Sequence, residues 1–145
     1  ENQRAVGRQL GADVCIGPLT ENAEARLKKA GMTWINTVIE CVGRPSTIEQ
    51  AIDLAGNKAV VMMFGLTRPD ETISVKPCQI LQKELELKAS YINPYTQKRA
   101  LDLIDSGRLD VSSMVCDVCG LDRLSEILSD PALRAKGKYI ISPEK

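Results

Sequence analysis

INTVIECVG (Ile35–Gly43), KAVVMMFGL (Lys58–Leu66) and LELKASYI (Leu85–Ile92) are hydrophobic runs separated by segments of helical character. The first is closed by Gly43, the second reaches Gly65, and the third runs out at Tyr91-Ile92. Strand, helix, strand in that order is the pattern of a parallel sheet with crossover helices. Ligands of such sheets bind where the strands end, because loops and helix N-termini converge there. Cys41-Val42-Gly43, Phe64-Gly65-Leu66 and Ser90-Tyr91-Ile92 are therefore the place to look for function.

Outward from these runs, Ile35 to Val42 and Ala59 to Phe64 have little polar relief, as expected of strands covered on both faces. Leu85 to Tyr91 alternates Leu85, Leu87, Ala89 and Tyr91. Ser46 or Thr47 is placed to cap a helix that buries Ile48, Ala51, Ile52 and Ala55 and ends at Gly56-Asn57. Thr67 to Glu71 reads as a polar loop, Thr72 to Val75 as a short extended piece, and Lys76 to Lys83 as a helix starting at Pro77. On the N-terminal side, Glu1 to Leu10 is helical, Ala12 to Ile16 is a short strand, and Thr20 caps a helix running to Ala30. On the C-terminal side, Thr96 caps a helix through Asp105, and Val111 to Cys119 is extended. Asp122 to Leu128 is helical, and Lys138 to Ile141 is a last strand.

The 145 residues correspond to about one domain. Lys plus Arg and Asp plus Glu both number 19, so no net field selects nucleic acid or an anionic membrane. The aromatic residues (Trp34, Phe64, Tyr91, Tyr95, Tyr139) are too few for a base-stacking platform. No apolar run approaches the roughly 20 residues of a membrane span. Small molecules and further copies of the chain are the expected partners.

Five cysteines at irregular spacing argue against a disulfide framework and for a reducing, cytoplasmic location. Cys15 and Cys41 lie inside apolar runs, where cysteine behaves as a small hydrophobe. The pair Cys116 and Cys119 lacks the second ligand pair of a zinc site, so a structural role is expected. Without histidine, the chain can supply no histidine base, no Ser-His-Asp triad and no His-containing metal site.

Taken in order, LGADVCIGP, TVIECVG, GNKAVVMMFGL, ELELKASY, SGRLD and GKYIIS resemble the second half of a medium-chain dehydrogenase/reductase of the zinc alcohol and polyol dehydrogenase type. The likeness covers nearly the whole chain. It implies an α/β fold, a Rossmann-type doubly wound parallel sheet, incomplete because its first two strands and glycine-rich loop are absent. By the same resemblance the acidic ribose-binding residue falls ahead of Glu1, and the zinc ligands belong to a still earlier catalytic domain. Residues 1–106 then correspond to the remainder of the nucleotide-binding domain, and 107–145 to a tail returning to the catalytic domain. In the sheet order 3-2-1-4-5-6, Ala12 to Ile16 would be strand 3 and Ile35 to Val42 strand 4. Strand 3 would then lack its native neighbour in this chain.

The implied activity of an intact parent is hydride transfer between NAD or NADP and an alcohol or polyol, with zinc polarising the substrate oxygen. The chain alone is expected to be inactive and to hold no catalytic residue and no metal ligand. The alternatives are a zinc-free quinone or enoyl reductase of the same superfamily, and a non-catalytic nucleotide-sensing or oligomerisation domain.

By resemblance, Cys41 and Val42 line the adenine and ribose side of the cofactor, with Gly43 in the turn. Arg44 lies near the adenine or is a solvated surface arginine. Phe64, Gly65 and Leu66 match the segment beside the nicotinamide, where a backbone carbonyl can receive the carboxamide and glycine lets the chain approach the ring. Ser90, Tyr91 and Ile92 match the segment that completes the carboxamide contact. Lys138 matches a basic residue that reaches the pyrophosphate, or is a surface lysine beside Lys136. Gln3 falls near a ribose or phosphate contact. Thr72 to Val75 with Pro77 resembles the edge strand through which two cofactor domains join, so a homodimer or homotetramer is expected.

Overall fold

A computed structural model of the chain describes residues 2–92 and 94–144. In order they form α1 (Asn2–Gln9), α2 (Ala23–Lys29), β1 (Thr37–Glu40), α3 (Pro45–Leu54), β2 (Val60–Met63), α4 (Pro77–Lys83) and β3 (Glu86–Ala89). There follow α5 (Gln97–Asp105), β4 (Val115–Cys119), α6 (Leu124–Ser129), α7 (Pro131–Arg134) and β5 (Lys138–Ile141). The chain gathers into two compact units, a sheet unit of residues 14–93 and a terminal unit of residues 1–13 with 94–145.

In the sheet unit β1, β2 and β3 lie in that order, all parallel, with Val38 beside Val61 and Val61 beside Leu87. The expected α/β parallel arrangement is what forms. Helix α3 covers one face. Its apolar positions Ile48, Ala51 and Ile52, with Ala55 just beyond its end, recur at helical spacing and meet Ala59 and Val61 in the core. Val38, Met63, Ile73 and Leu85 pack against that cluster. Each fully buried Ile or Val contributes about 1.5–3 kcal/mol, so this is the principal source of the unit's cohesion.

Both ends of α3 are satisfied by chemistry. Pro45 occupies the first turn, where its missing N–H costs nothing. At the other end the Lys83 ammonium donates to the carbonyls of Asp53 (3.0 Å) and Ala55 (2.8 Å), placing a cation where the helix dipole is negative.

Several expectations are corrected. Ala12 to Ile16 forms no strand, and the division between the units runs through it, between Asp13 and Val14. A strand exists through its ladder, and these residues find no pairing partner among the described residues. Thr72 to Val75 is not an edge strand either. The Ser74 N–H donates to Glu49 Oε1 on α3 at 2.8 Å and Ile73 packs on the core, so the segment follows the flank of α3.

Asn22, not Thr20, caps α2, its side chain accepting from the Ala25 N–H at 2.9 Å. Thr20 is held in the preceding turn by its N–H to the Gly17 carbonyl. Arg44 occupies the position before α3 that Ser46 or Thr47 was expected to fill. β1 is covered on one face only: Ile39, pointing away from α3, is 62% exposed. Cys41 is exposed as well, since it lies past the last ladder residue of β1.

In the terminal unit β4 and β5 form a two-stranded parallel sheet, linked through α6 and α7, with an irregularity at Cys116. Cys116 is exposed and Cys119 buried. Gly137, at φ +154°, passes so close to Met114 that a Cβ would lie 2.9 Å from its carbonyl oxygen.

Candidate functional site

Because β2 and β3 are parallel and in register, their C-terminal ends lie side by side and open on a common cavity of about 370 Å³. Phe64, Gly65 and Leu66 line it after β2, and Ser90, Tyr91 and Ile92 line it after β3. Ile48 of α3, Met63, Thr67 and Ala89 complete the lining. All six residues expected at these two strand ends are thus brought together. The carbonyls of Phe64, Gly65 and Leu66 accept no hydrogen bond among the described residues. Ile92 has φ +43°, a strained conformation for a β-branched residue. Volume and lining suit a flat organic group held by backbone acceptors and apolar walls.

Cys41, Val42, Gly43 and Arg44 do not line the cavity. They form the turn after β1, and the turn touches the cavity wall backbone to backbone. At Gly43, with φ +75°, a Cβ would lie 2.6 Å from the Leu66 carbonyl carbon. At Gly65 it would lie 2.7 Å from Gly43 Cα and 2.7 Å from Glu40 Oε2. No other residue type fits either place without moving main chain.

A profile for the family described as "Zinc-binding dehydrogenase" matches residues 1–106. The chain belongs to the zinc-binding dehydrogenase family. It is 23% identical over 122 residues to D-arabinitol dehydrogenase 1 of Uromyces fabae, covering 84% of this chain and 35% of that protein. It superimposes with a TM-score of 0.86 on a Sinorhizobium meliloti protein described as a zinc-binding dehydrogenase bound to NADP. That match has 27% identity and covers 97% of this chain and 42% of the other. Benzyl alcohol dehydrogenase of Acinetobacter calcoaceticus shares the fold, with a TM-score of 0.83 at 19% identity over 96% of this chain and 39% of its own. The chain therefore spans well under half the length of these relatives.

In this member of the dehydrogenase family, one residue that sequence reasoning passed over organises the strand ends. Glu40 closes β1 and is 5% exposed. Its Oε1 accepts from the N–H groups of Val42 (2.7 Å) and Gly43 (2.9 Å) and from the Thr47 hydroxyl (2.8 Å). Oε2 accepts from Gly43 N–H at 3.1 Å. Its carbonyl accepts from both Phe64 and Gly65 N–H at 2.9 Å. Burial by itself pushes the Glu40 carboxyl up, but the bonds from Thr47, Gly43 and Val42 together outweigh it and hold the group below its ordinary range. The missed signal was a lone acid within an otherwise apolar strand, directly before a glycine turn.

Lys138 belongs to the terminal unit, where it opens β5 and lines a cleft of about 390 Å³ with Gln3, Arg134 and Lys136. Among the described residues no group of three or more His, Cys, Asp or Glu side chains could hold a metal ion, so the residues present do not fit a zinc site. Among those residues, too, no helix is long and apolar enough to cross a membrane.

Proposed function

We propose that this chain supplies one wall of the nicotinamide site of an NAD- or NADP-dependent alcohol or polyol dehydrogenase. The observation that carries the reading is the strand-end cavity, where Phe64–Leu66 and Ser90–Ile92 converge and the carbonyls of Phe64, Gly65 and Leu66 accept no hydrogen bond among the described residues. A bound nicotinamide cofactor would supply the hydride acceptor or donor. The chain's own part is to bind and orient: backbone carbonyls at Phe64 to Leu66 offer acceptors for a carboxamide, and Gly65 permits close approach. Cys41, Val42, Gly43 and Arg44 would extend the seat toward the adenosine, and Lys138 would neutralise phosphate charge. The zinc of this family would be held by residues outside this chain.

We further infer that residues 1–106 are the remainder of the nucleotide-binding domain and 107–145 the returning tail, a reading supported by the end of the family match at residue 106. A cytoplasmic homodimer or homotetramer is proposed on the same family grounds. The test is titration of the full-length protein with NADH and NADPH, followed by nicotinamide fluorescence, then turnover of an alcohol and polyol panel. Leu66→Trp, which places an indole in the cavity mouth, should weaken cofactor binding about tenfold or more. A full-length protein that binds neither cofactor would sink the proposal.

A further inference from the structure

Glu40 is the one charged residue buried among the described residues, and none of them gives it a cation partner. Burying a carboxylate is costlier than burying a leucine of similar size, so packing alone does not account for it. What the carboxylate does, and leucine cannot, is hold two consecutive N–H groups, those of Val42 and Gly43, in the turn after β1. Its own carbonyl takes the next pair, Phe64 and Gly65, after β2. Between these two anchor points Gly43 and Gly65 meet with no side chain between them, so slack in the turn passes directly to the cavity wall.

We propose that Glu40 is a positioning residue: its carboxylate orders the 41–43 turn and, through the Gly43–Gly65 contact, sets the Phe64–Leu66 wall of the cavity. That the wall receives a nicotinamide rests on the function proposed above; the coupling between carboxylate and wall does not.

Three variants separate the possibilities. Glu40→Leu keeps the size and removes every acceptor. Glu40→Gln keeps an oxygen in the Oε1 position, which takes three of the four bonds. Ile52→Val loosens the core beneath α3 without touching the turn. In amide hydrogen exchange, Glu40→Leu should speed Val42, Gly43, Phe64 and Gly65 about tenfold or more relative to Val61. Glu40→Gln should recover most of that protection, and Ile52→Val should leave the ratio unchanged.

In the full-length protein, Glu40→Leu should raise the cofactor KM about tenfold with kcat at saturation held within about twofold. The glutamine variant should fall near wild type in KM, and it keeps the test decisive should the leucine variant not fold. Unchanged relative exchange at the four amides overturns the inference. So does a KM that rises equally in Ile52→Val, whereas exchange that follows Glu40 while KM does not change leaves the coupling standing and overturns the functional reading of the wall. If the amide pattern follows Glu40 but the wild type binds no nicotinamide cofactor, the coupling stands and the functional reading falls.

Discussion

Gly65→Ala isolates the glycine-on-glycine contact at the strand ends. Gly65 does not have positive φ, so alanine brings no backbone penalty of its own, only a methyl group. That methyl would press on the Gly43 nitrogen and lie 2.7 Å from Gly43 Cα, and ordinary contact begins near 3.4 Å, so the two segments must part by more than about 0.7 Å. The atoms met are main chain and a carboxylate oxygen fixed by other bonds, so nothing nearby can swing aside. Overpacking of this kind costs about 1–3 kcal/mol, and stretching the two bonds into the Glu40 carbonyl adds about 1 kcal/mol. We expect a loss near 3 kcal/mol in urea unfolding followed by circular dichroism, a fall of about 1.5 M in midpoint at a slope near 2 kcal/mol/M. Gly107→Ala is the comparison, since Gly107 has φ +70° and nothing within 4 Å of the added methyl. It carries only the left-handed backbone cost, about 1 kcal/mol. A Gly65→Ala protein as stable as wild type, or more stable than Gly107→Ala, would refute the reasoning.

The core makes a second contrast: Ile52→Ala, at 3% exposure, should cost about 2–5 kcal/mol, while Leu19→Ala, at 98% exposure, should stay within about 0.5 kcal/mol by the same unfolding assay. Glu40 also sets a pH dependence. Its folded value lies below the ordinary 4.5, so its contribution is fully present above 4.5 and is lost as pH falls through the lowered folded value. Thermal unfolding across acidic pH should therefore show a flatter stability curve for Glu40→Gln than for wild type, and parallel curves would exclude a role for its ionisation.

The three strands and the buried face of α3 were legible because hydrophobic spacing reports which positions face a core. Ile48, Ala51, Ile52 and Ala55 could be read directly, and so could the placement of Phe64–Leu66 and Ser90–Ile92 at neighbouring strand ends. Ala12 to Ile16 and Thr72 to Val75 were misread for one reason. Both are rich in β-formers, but a strand is made by a partner ladder, and composition does not say whether a partner is present. Helix caps were misplaced by two or three residues because several polar side chains competed for each position and only geometry chose Asn22 and Arg44. The Glu40 network was hidden because its donors are backbone N–H groups, which every residue carries.

The sequence by itself determined the α/β class, the parallel order of the strands and the segments that end them, since these follow from local periodicity and chain order. It also showed that these 145 residues supply no histidine. Only the tertiary structure decided which of those segments share a cavity and how closely their backbones approach. It alone decided what a carboxylate at the end of β1 is for. Those outcomes depend on register and on sub-ångström contacts between residues distant in sequence: Gly43 meets Gly65 because β1 and β2 pair Glu40 with Met63, and no local pattern encodes that distance.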